Sequence, residues 1–295
     1  MTPTFQHKLE FAALRILEAL FSVLPRTFTL NLGSLIGELL YRFKIYLPVV
    51  ETNMVHVGLW NDARQRQEIQ HRLYRNIGRY WSDFLHPAKS IPFTMADETT
   101  LEKCIARGKG TIVLLAHFGS WEALAVMFGK RISDLSVLAK PMHNPLVEAW
   151  LHAKRSRTGV KTIYPENALR KIAVALKHNG MVAVLIDQYA GGQGVAVPFF
   201  MGKTANTIRT VAGILQRMDC SILPGYSLMN KNGSYTVYTE ETANLNISTD
   251  NADTFINAYL AEHNAILSRW ITARPDHWFG WFHRRFADYV SYPPR

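Results

Sequence analysis

The amino-acid sequence predicts an α/β fold with a mostly parallel central sheet flanked by helices, and three observations lead there. Short apolar runs such as Thr111–Ala116 (TIVLLA) and Met181–Ile186 (MVAVLI) are too brief for independent helices and read as strands buried on both faces. Between and beyond them, strand-like and helix-like segments alternate, as they do where parallel strands are joined by crossover helices. The chain has 295 residues, 48% of them hydrophobic, with only 18 Gly and 13 Pro, enough apolar material for a full core and the wrong composition for a disordered or collagen-like chain.

Taken in order, the segment from Phe5 to Phe43 is rich in apolar residues, but Arg15, Glu18, Arg26 and Glu38 interrupt it. No charge-free run approaches the roughly 18 residues of a spanning helix, so a single span is possible but not demanded. Leu9, Ala13, Ile16, Leu17, Leu20, Phe21 and Leu24 recur at helical spacing until Pro25 ends the pattern, which suits a helix lying in a membrane interface or one packed on the protein's own core. The polar opening is followed by no apolar run with a small-residue cleavage site, so no cleaved signal peptide is expected. A second helix, Ile69 to Leu85, carries an apolar stripe of Ile69, Leu73, Ile77, Tyr80, Trp81 and Phe84, with Arg72, Arg75 and Arg79 on another face. A short helix follows near Asp97 to Arg107. Beyond the TIVLLA strand the pattern gives a helix over Ser120–Lys130, a strand near Ser136–Ala139, a helix over Pro145–Arg157, a strand near Lys161–Tyr164 and a helix over Glu166–His178. After MVAVLI it gives a helix over Ala205–Met218, strands at Ser221–Leu228 and Tyr235–Glu240, and a last helix from about Asp253 to Ala273.

The charge balance is 33 Lys+Arg against 23 Asp+Glu, a formal +10, which suits anionic lipid, nucleic acid or an acidic protein without choosing among them. No zinc-finger, helix-turn-helix or RNA-recognition spacing favours nucleic acid as a partner. Cys104 and Cys220, far apart, make neither a disulfide framework nor a zinc site, and a reducing compartment is the default. Gly202-Lys203-Thr204 lacks the first glycine of a phosphate-binding P-loop, where Val197 stands.

In parallel sheets ligands bind beyond the carboxyl ends of the strands. Directly after TIVLLA come His117, Phe118, Gly119, Ser120, Trp121 and Glu122. Ser120 is a natural helix N-cap, and Glu122 falls in the first turn near the positive end of the helix dipole. A histidine just outside the helix and a glutamate just inside can meet across the turn as a base and the carboxylate that orients it. The bland alternative is a capped helix with an incidental histidine. Asp187 and Gln188 follow the MVAVLI strand and should reach the same sheet edge as His117, where they order the site or bind an acceptor. Asn144 before Pro145 is most simply a turn and helix-start residue.

HFGSWE after an apolar strand resembles the H-x4-D/E signature of glycerolipid-type acyltransferases, and further blocks resemble one branch, the late acyltransferases of lipid A biosynthesis (lauroyl and myristoyl transferases). These blocks are KPMHNP at Lys140–Pro145 followed by Arg155 and Gly159, IDQ at Ile186–Gln188, VPFFMGKTANT at Val197–Thr207, LPGY at Leu223–Tyr226 and RPDHWFGWFHRRF at Arg274–Phe286. The likeness runs over nearly the whole chain. It implies a glycerolipid-acyltransferase-like fold, with a membrane-associated helical segment at residues 1–60 and an acyltransferase domain at 61–295.

The implied reaction moves a fatty acyl group from an acyl carrier protein thioester to a hydroxyl of a lipid A precursor, at the cytoplasmic face of a bacterial inner membrane. The alternative is a different glycolipid or a lysophospholipid as acceptor, with acyl-CoA or acyl carrier protein as donor; a more distant one is a non-catalytic basic protein that binds membrane or nucleic acid. In this reading His117 is the general base, Glu122 its orienter, and backbone amides with Lys140 or Arg209 hold phosphate or oxyanion. Phe199 and Phe200 wall an acyl or thioester pocket, beside which Gly202 lets the chain turn. Lys140 stands where the resemblance leads one to expect Arg, and an ammonium cannot clamp phosphate bidentately. A thioester is already activated, so no cofactor is expected, and His277 and His283 lack a metal-ligand pattern. No Gly-x-Ser-x-Gly elbow is present, which favours direct transfer over an acyl-enzyme. Trp270, Trp278 and Trp281, interleaved with Arg274, Arg284 and Arg285, read either as an interfacial aromatic-basic edge or as core.

Overall fold

The structure, a computed structural model, describes residues 2–86, 91–132, 134–241 and 251–294. Its centre is a seven-stranded sheet in the order β1-β9-β8-β2-β5-β3-β4. The inner strands β2 (Thr111–Leu115) and β5 (Met181–Leu185) are the two apolar runs singled out above. They pair in parallel with a constant offset of 70 residues, Thr111 opposite Met181 and Leu115 opposite Leu185. β8 (Ser221–Met229) lies parallel to β2 on its other side, while β3 (Leu135–Leu138) and β4 (Val160–Ile163) extend the sheet beyond β5. Only the step from β8 to β9 (Tyr235–Thr239) is antiparallel, and β1 (Phe93–Met95) closes that edge.

Alternation along the strands divides the core. Val113, Leu115 and Ala183 face α5 (Thr99–Ala106) and α6 (Trp121–Arg131), packing with Leu101, Leu124 and Phe128. Ile112, Leu114, Val182 and Val184 face the opposite side. There α8 (Ala168–Lys177), α9 (Thr210–Leu215), α10 (Ala252–Ala273) and the C-terminal segment supply Ile172, Val211, Leu267, Trp278 and Trp281. Trp270, Trp278 and Trp281 are all buried, so the aromatic block is core rather than an interfacial edge.

One helix boundary departs from the sequence pattern. Residues from Thr204 to Ile208 form a strand, β7, paired antiparallel with β6 (Gly194–Pro198), so the helix expected from Ala205 begins only at Thr210. The reason is local: Ala205 and Thr207 alternate inward between less buried neighbours, a period of two that a window over the following apolar residues obscures. β1, β6 and the helix α3 (Leu47–Val57) add to the elements that the sequence pattern predicts.

The N-terminal segment consists of α1 (Phe5–Val23) and α2 (Arg26–Arg42), and both pack on the rest of the chain. α2 crosses α4 (Ala63–Leu85) so closely that a Cβ on Gly37 would stand 2.0 Å from the Tyr74 carbonyl oxygen. Arg26 grips Asp83 with two hydrogen bonds, 2.6 and 3.0 Å. α1 is pinned to α7 (Pro145–Ser156) by polar contacts: Asn144 donates to the His7 carbonyl and to Glu10, both at 2.9 Å, and Trp150 donates its indole N–H to Glu18. The apolar stripe of α1 therefore faces outward in the main, with Phe21 buried but Ile16 68% and Val23 78% exposed. Among the described residues no helix is long and apolar enough to cross a membrane.

Candidate active site

The offset of 70 residues between β2 and β5 persists past the ends of both strands and brings His117 beside Asp187. The His117 backbone N–H donates to Asp187 Oδ2 at 2.9 Å, and its ring Nδ1 lies 2.8 Å from Oδ1. Trp278 donates its indole N–H to the same carboxylate at 2.7 Å. A carboxylate accepts, so Nδ1 carries the proton and the other ring nitrogen, Nε2, is left with a lone pair. Asp187 is fully buried; burial pushes its pKa up, yet the His117 charge and the hydrogen bonds from His117 and Trp278 outweigh this and bring it down to about 2. It remains an anion under any working condition. The His117 side chain keeps 21% of its surface exposed, which leaves Nε2 access to a reactant.

At Nε2 stands Gln188, whose side-chain amide nitrogen is 3.2 Å from it and 3.1 Å from His283 Nε2. One NH2 group thus bridges the two ring nitrogens. Desolvation and then the neighbouring His117 lower the pKa of His283, consistent with its acceptor role. Behind Gln188, the fully buried Arg285 donates to the Gln188 carbonyl at 3.2 Å, to the Asn206 carbonyl and to Thr207 Oγ1 at 2.8 Å, tying the β5 loop to β7. Burial lowers its pKa to about 10, and its guanidinium lies 5.2 Å from the Phe199 ring centre.

The turn itself is held as firmly. Gly119 has φ +61°, and a Cβ there would stand 1.9 Å from the Ser227 carbonyl oxygen, so only glycine fits. Its N–H donates to the His277 carbonyl at 2.8 Å, the Ser120 N–H to Ser227 at 3.0 Å, and the Phe279 N–H to the His117 carbonyl at 2.7 Å. The amides of His117, Gly119 and Ser120 are thus all engaged within the protein. Ser120 caps α6 as expected, accepting from Ala123 N at 3.3 Å.

Glu122 is the main correction. Its carboxylate is gripped by the Arg155 guanidinium through two hydrogen bonds, one of 3.2 Å, and the carboxylate on His117 is that of Asp187. Each side chain of the Glu122–Arg155 pair is only 13% exposed. A cavity of about 480 Å3 opens on this flank, walled by Ser120 and Glu122 of α6, Trp150 and Lys154 of α7, and Arg15 and Glu18 of α1. A small apolar hollow shares Phe84, Ser120 and Glu122 with it and includes Trp121, whose ring stands edge-on to His117 at 4.9 Å.

The other expected site residues lie elsewhere. Phe199 and Phe200 are buried among Trp278, Trp281 and Phe286, where they support Arg285 and the indole on Asp187 instead of walling a pocket, because they enter the core from the inner end of the β6–β7 hairpin. Gly202 makes the tight turn between those strands with φ +80°. Arg209 is exposed and 4.0 Å from Asp253, away from His117. Lys140 is exposed, and Asn144 caps α7 while holding α1. His283 and Arg285 were missed as site residues, although the block from Arg274 to Phe286 contains both. Among the described residues, no group of three His, Cys, Asp or Glu is placed to hold a metal ion.

The family described as bacterial lipid A biosynthesis acyltransferase covers residues 4–288 of the chain. No curated protein matches it.

Proposed function

The chain belongs to the bacterial lipid A biosynthesis acyltransferases, and from that premise we propose that it carries a fatty acyl chain from an acyl carrier protein thioester to a hydroxyl of a lipid A precursor, with His117 as base and Asp187 as its orienter. The observation that supports this most is the row Asp187–His117–Gln188, in which the imidazole is fixed by a buried anion and presents a basic Nε2 to the cleft. The acceptor hydroxyl takes the place now held at Nε2 by the Gln188 amide. As its oxygen attacks the thioester carbonyl carbon, its proton passes to Nε2, and Asp187 stabilises the imidazolium. The Gln188 amide, still held by His283, turns one N–H toward the developing oxyanion. Collapse breaks the C–S bond, and the thiolate takes the proton back from Nε2. The acylated acceptor and the carrier-protein thiol then leave, with His117 back in its starting state.

Glu122, locked to Arg155 at the mouth of the large cavity, serves in this reading as a wall of the acceptor's binding site. The outward apolar face of α1 and α2, with Phe5, Ile16, Leu20, Leu35 and Phe43 exposed, supports attachment to the cytoplasmic surface of the inner membrane by lying in its interface. The test is transfer of a radiolabelled acyl group from carrier protein to an underacylated lipid A precursor by the wild type and by His117→Ala. Label in the lipid with wild type only supports the assignment; no transfer by the wild type to any disaccharide lipid, with ready acylation of a lysophospholipid, overturns the acceptor.

A further inference from the structure

The wall of the 480 Å3 cavity has an unbalanced charge pattern. Each of its three carboxylates is already matched: Glu18 by Arg15 and the Trp150 indole, Asp83 by Arg26 and the Tyr235 hydroxyl, and Glu122 by Arg155. Among the described residues, Lys130, Lys154 and Arg157 line the same cavity with no carboxylate within ion-pairing distance. Lys154 is the most enclosed. Its ammonium donates to the Phe84 carbonyl and lies 4.5 Å from the Phe84 ring centre and 5.0 Å from that of Trp150. Burial lowers its pKa, against the opposing pull of the Glu18, Glu122 and Asp83 carboxylates, none of which reaches it as an ion pair. His86, also in the wall, is 3.3 Å from the Leu24 carbonyl through Nε2 and, among the described residues, has no hydrogen-bond partner for Nδ1.

We infer that this cavity is the subsite for a phosphate on the acceptor's headgroup, with Lys154 as its inner cation and Lys130 and Arg157 at its rim. Two features point to the headgroup of an amphiphile over free phosphate. Arg15 and Glu18 line the cavity while their neighbours Ile16 and Leu20 on α1 are exposed, so a headgroup held inside has an apolar surface next to it for its chains. Ser120 and Glu122 also line it, on the turn that carries His117, so a sugar anchored by its phosphate is delivered beside the base. Lys140 and Arg209, the cations first expected to do this, lie outside the cavity lining. This inference rests on the reading above only for the acceptor's identity.

Binding, measured without acyl transfer, tests it. The detergent-solubilised full chain is titrated with a phosphorylated glucosamine disaccharide lacking acyl chains, with the same disaccharide dephosphorylated, and with inorganic phosphate. The wild type should bind the phosphorylated sugar at least about ten-fold more tightly than either of the others. Lys154→Met, which keeps the contact with Phe84 and Trp150, and the surface pair Lys130→Gln/Arg157→Gln should each weaken it about ten- to hundred-fold, in line with lost hydrogen bonds to a charged group. Affinity for the dephosphorylated sugar should be unchanged, and melting temperatures should show that the variants fold. Equal binding of both sugars by the wild type, or unaltered affinity in the folded variants, overturns the subsite. Inorganic phosphate binding as tightly as the phosphorylated sugar overturns the headgroup in favour of a free-anion site. Since no transfer is measured, failure here leaves the His117 chemistry standing, and an inactive enzyme leaves this result readable.

Discussion

The turn that carries His117 has two unlike flanks. On the β5 side, Asp187 is fully buried and accepts from three donors, and Arg285 is buried and donates to three neutral oxygens, so both groups spend these hydrogen bonds within the protein. On the α6–α7 side, the carboxylates are matched but three cations are not, and open volume lies between the walls. The first flank is closed and hydrogen-bonded within the protein, the second open with spare charge of a single sign. The two carboxylates near His117 accordingly differ in their partners, and the nearer one in sequence is not the one on the imidazole.

Variants on the two flanks should break the symmetry that the H-x4-E spacing suggests. The largest effect is expected for His117→Ala, a loss in turnover of about 10²- to 10⁴-fold with the fold retained; a folded variant with near-normal turnover would remove the base. Asp187→Asn should follow closely, about 10²-fold in kcat, because an amide in that place no longer fixes Nδ1–H. Asn preserves the volume, whereas Asp187→Ala would strand Trp278 and His117 donors and cost stability as well. Glu122→Gln should cost less, about ten-fold, and chiefly in the acceptor's KM, since Arg155 loses a charged partner but Asp187 is untouched. An Asp187→Asn enzyme more active than Glu122→Gln would reverse the assignment of the flanks.

Smaller effects sharpen the comparison from outside the site. Ile16→Glu/Leu20→Glu on the exposed face of α1 should weaken sedimentation with anionic vesicles several-fold and leave the melting temperature near that of the wild type, as neither residue is buried. Unchanged sedimentation would remove α1 from the attachment surface. The smallest concerns the interior. Among the described residues His263 is buried with no hydrogen-bond partner on either nitrogen, and burial lowers its pKa to about 3 against about 6.5 unfolded. The unfolded state then binds more protons between those values, so stability is whole above pH 6.5 and falls as the pH drops toward 3. Asp187, at about 2 against about 3.9 unfolded, adds a further loss below pH 4. Urea titrations of His263→Leu should show a flatter dependence between pH 7 and 4 than the wild type; identical slopes would assign the acid sensitivity elsewhere.

Much of the frame was legible because its signals are local. TIVLLA and MVAVLI could only be buried strands, and the Ser120 cap marked the start of α6. The place of Asp187 at the same edge as His117 was also legible from the strand ends. Its pairing was not, because strand register is a tertiary fact: only the 70-residue offset makes residue 187, not 122, the neighbour of Nδ1. Glu122 attracted the role by sequence proximity, while its real partner, Arg155, lies on another helix. Apolar periodicity drew the stripe of α1 but left open which way it faces. That was decided by Asn144 and Trp150, polar residues that hold the opposite side of the helix. Phe199 and Phe200 show the same limit, since an aromatic pair reads alike whether it lines a pocket or supports a buried guanidinium.

The most direct test of the two flanks is the protonation of one ring. Nitrogen-15 NMR of histidine-labelled protein at pH 8, with His117 assigned by its absence in His117→Ala, reports which ring nitrogen carries the proton. The wild type and Glu122→Gln should both hold it on Nδ1 with Nε2 bare, and Asp187→Asn should lose that preference. A Glu122→Gln spectrum that loses the Nδ1 proton, beside an Asp187→Asn spectrum that keeps it, would contradict the central role of Asp187.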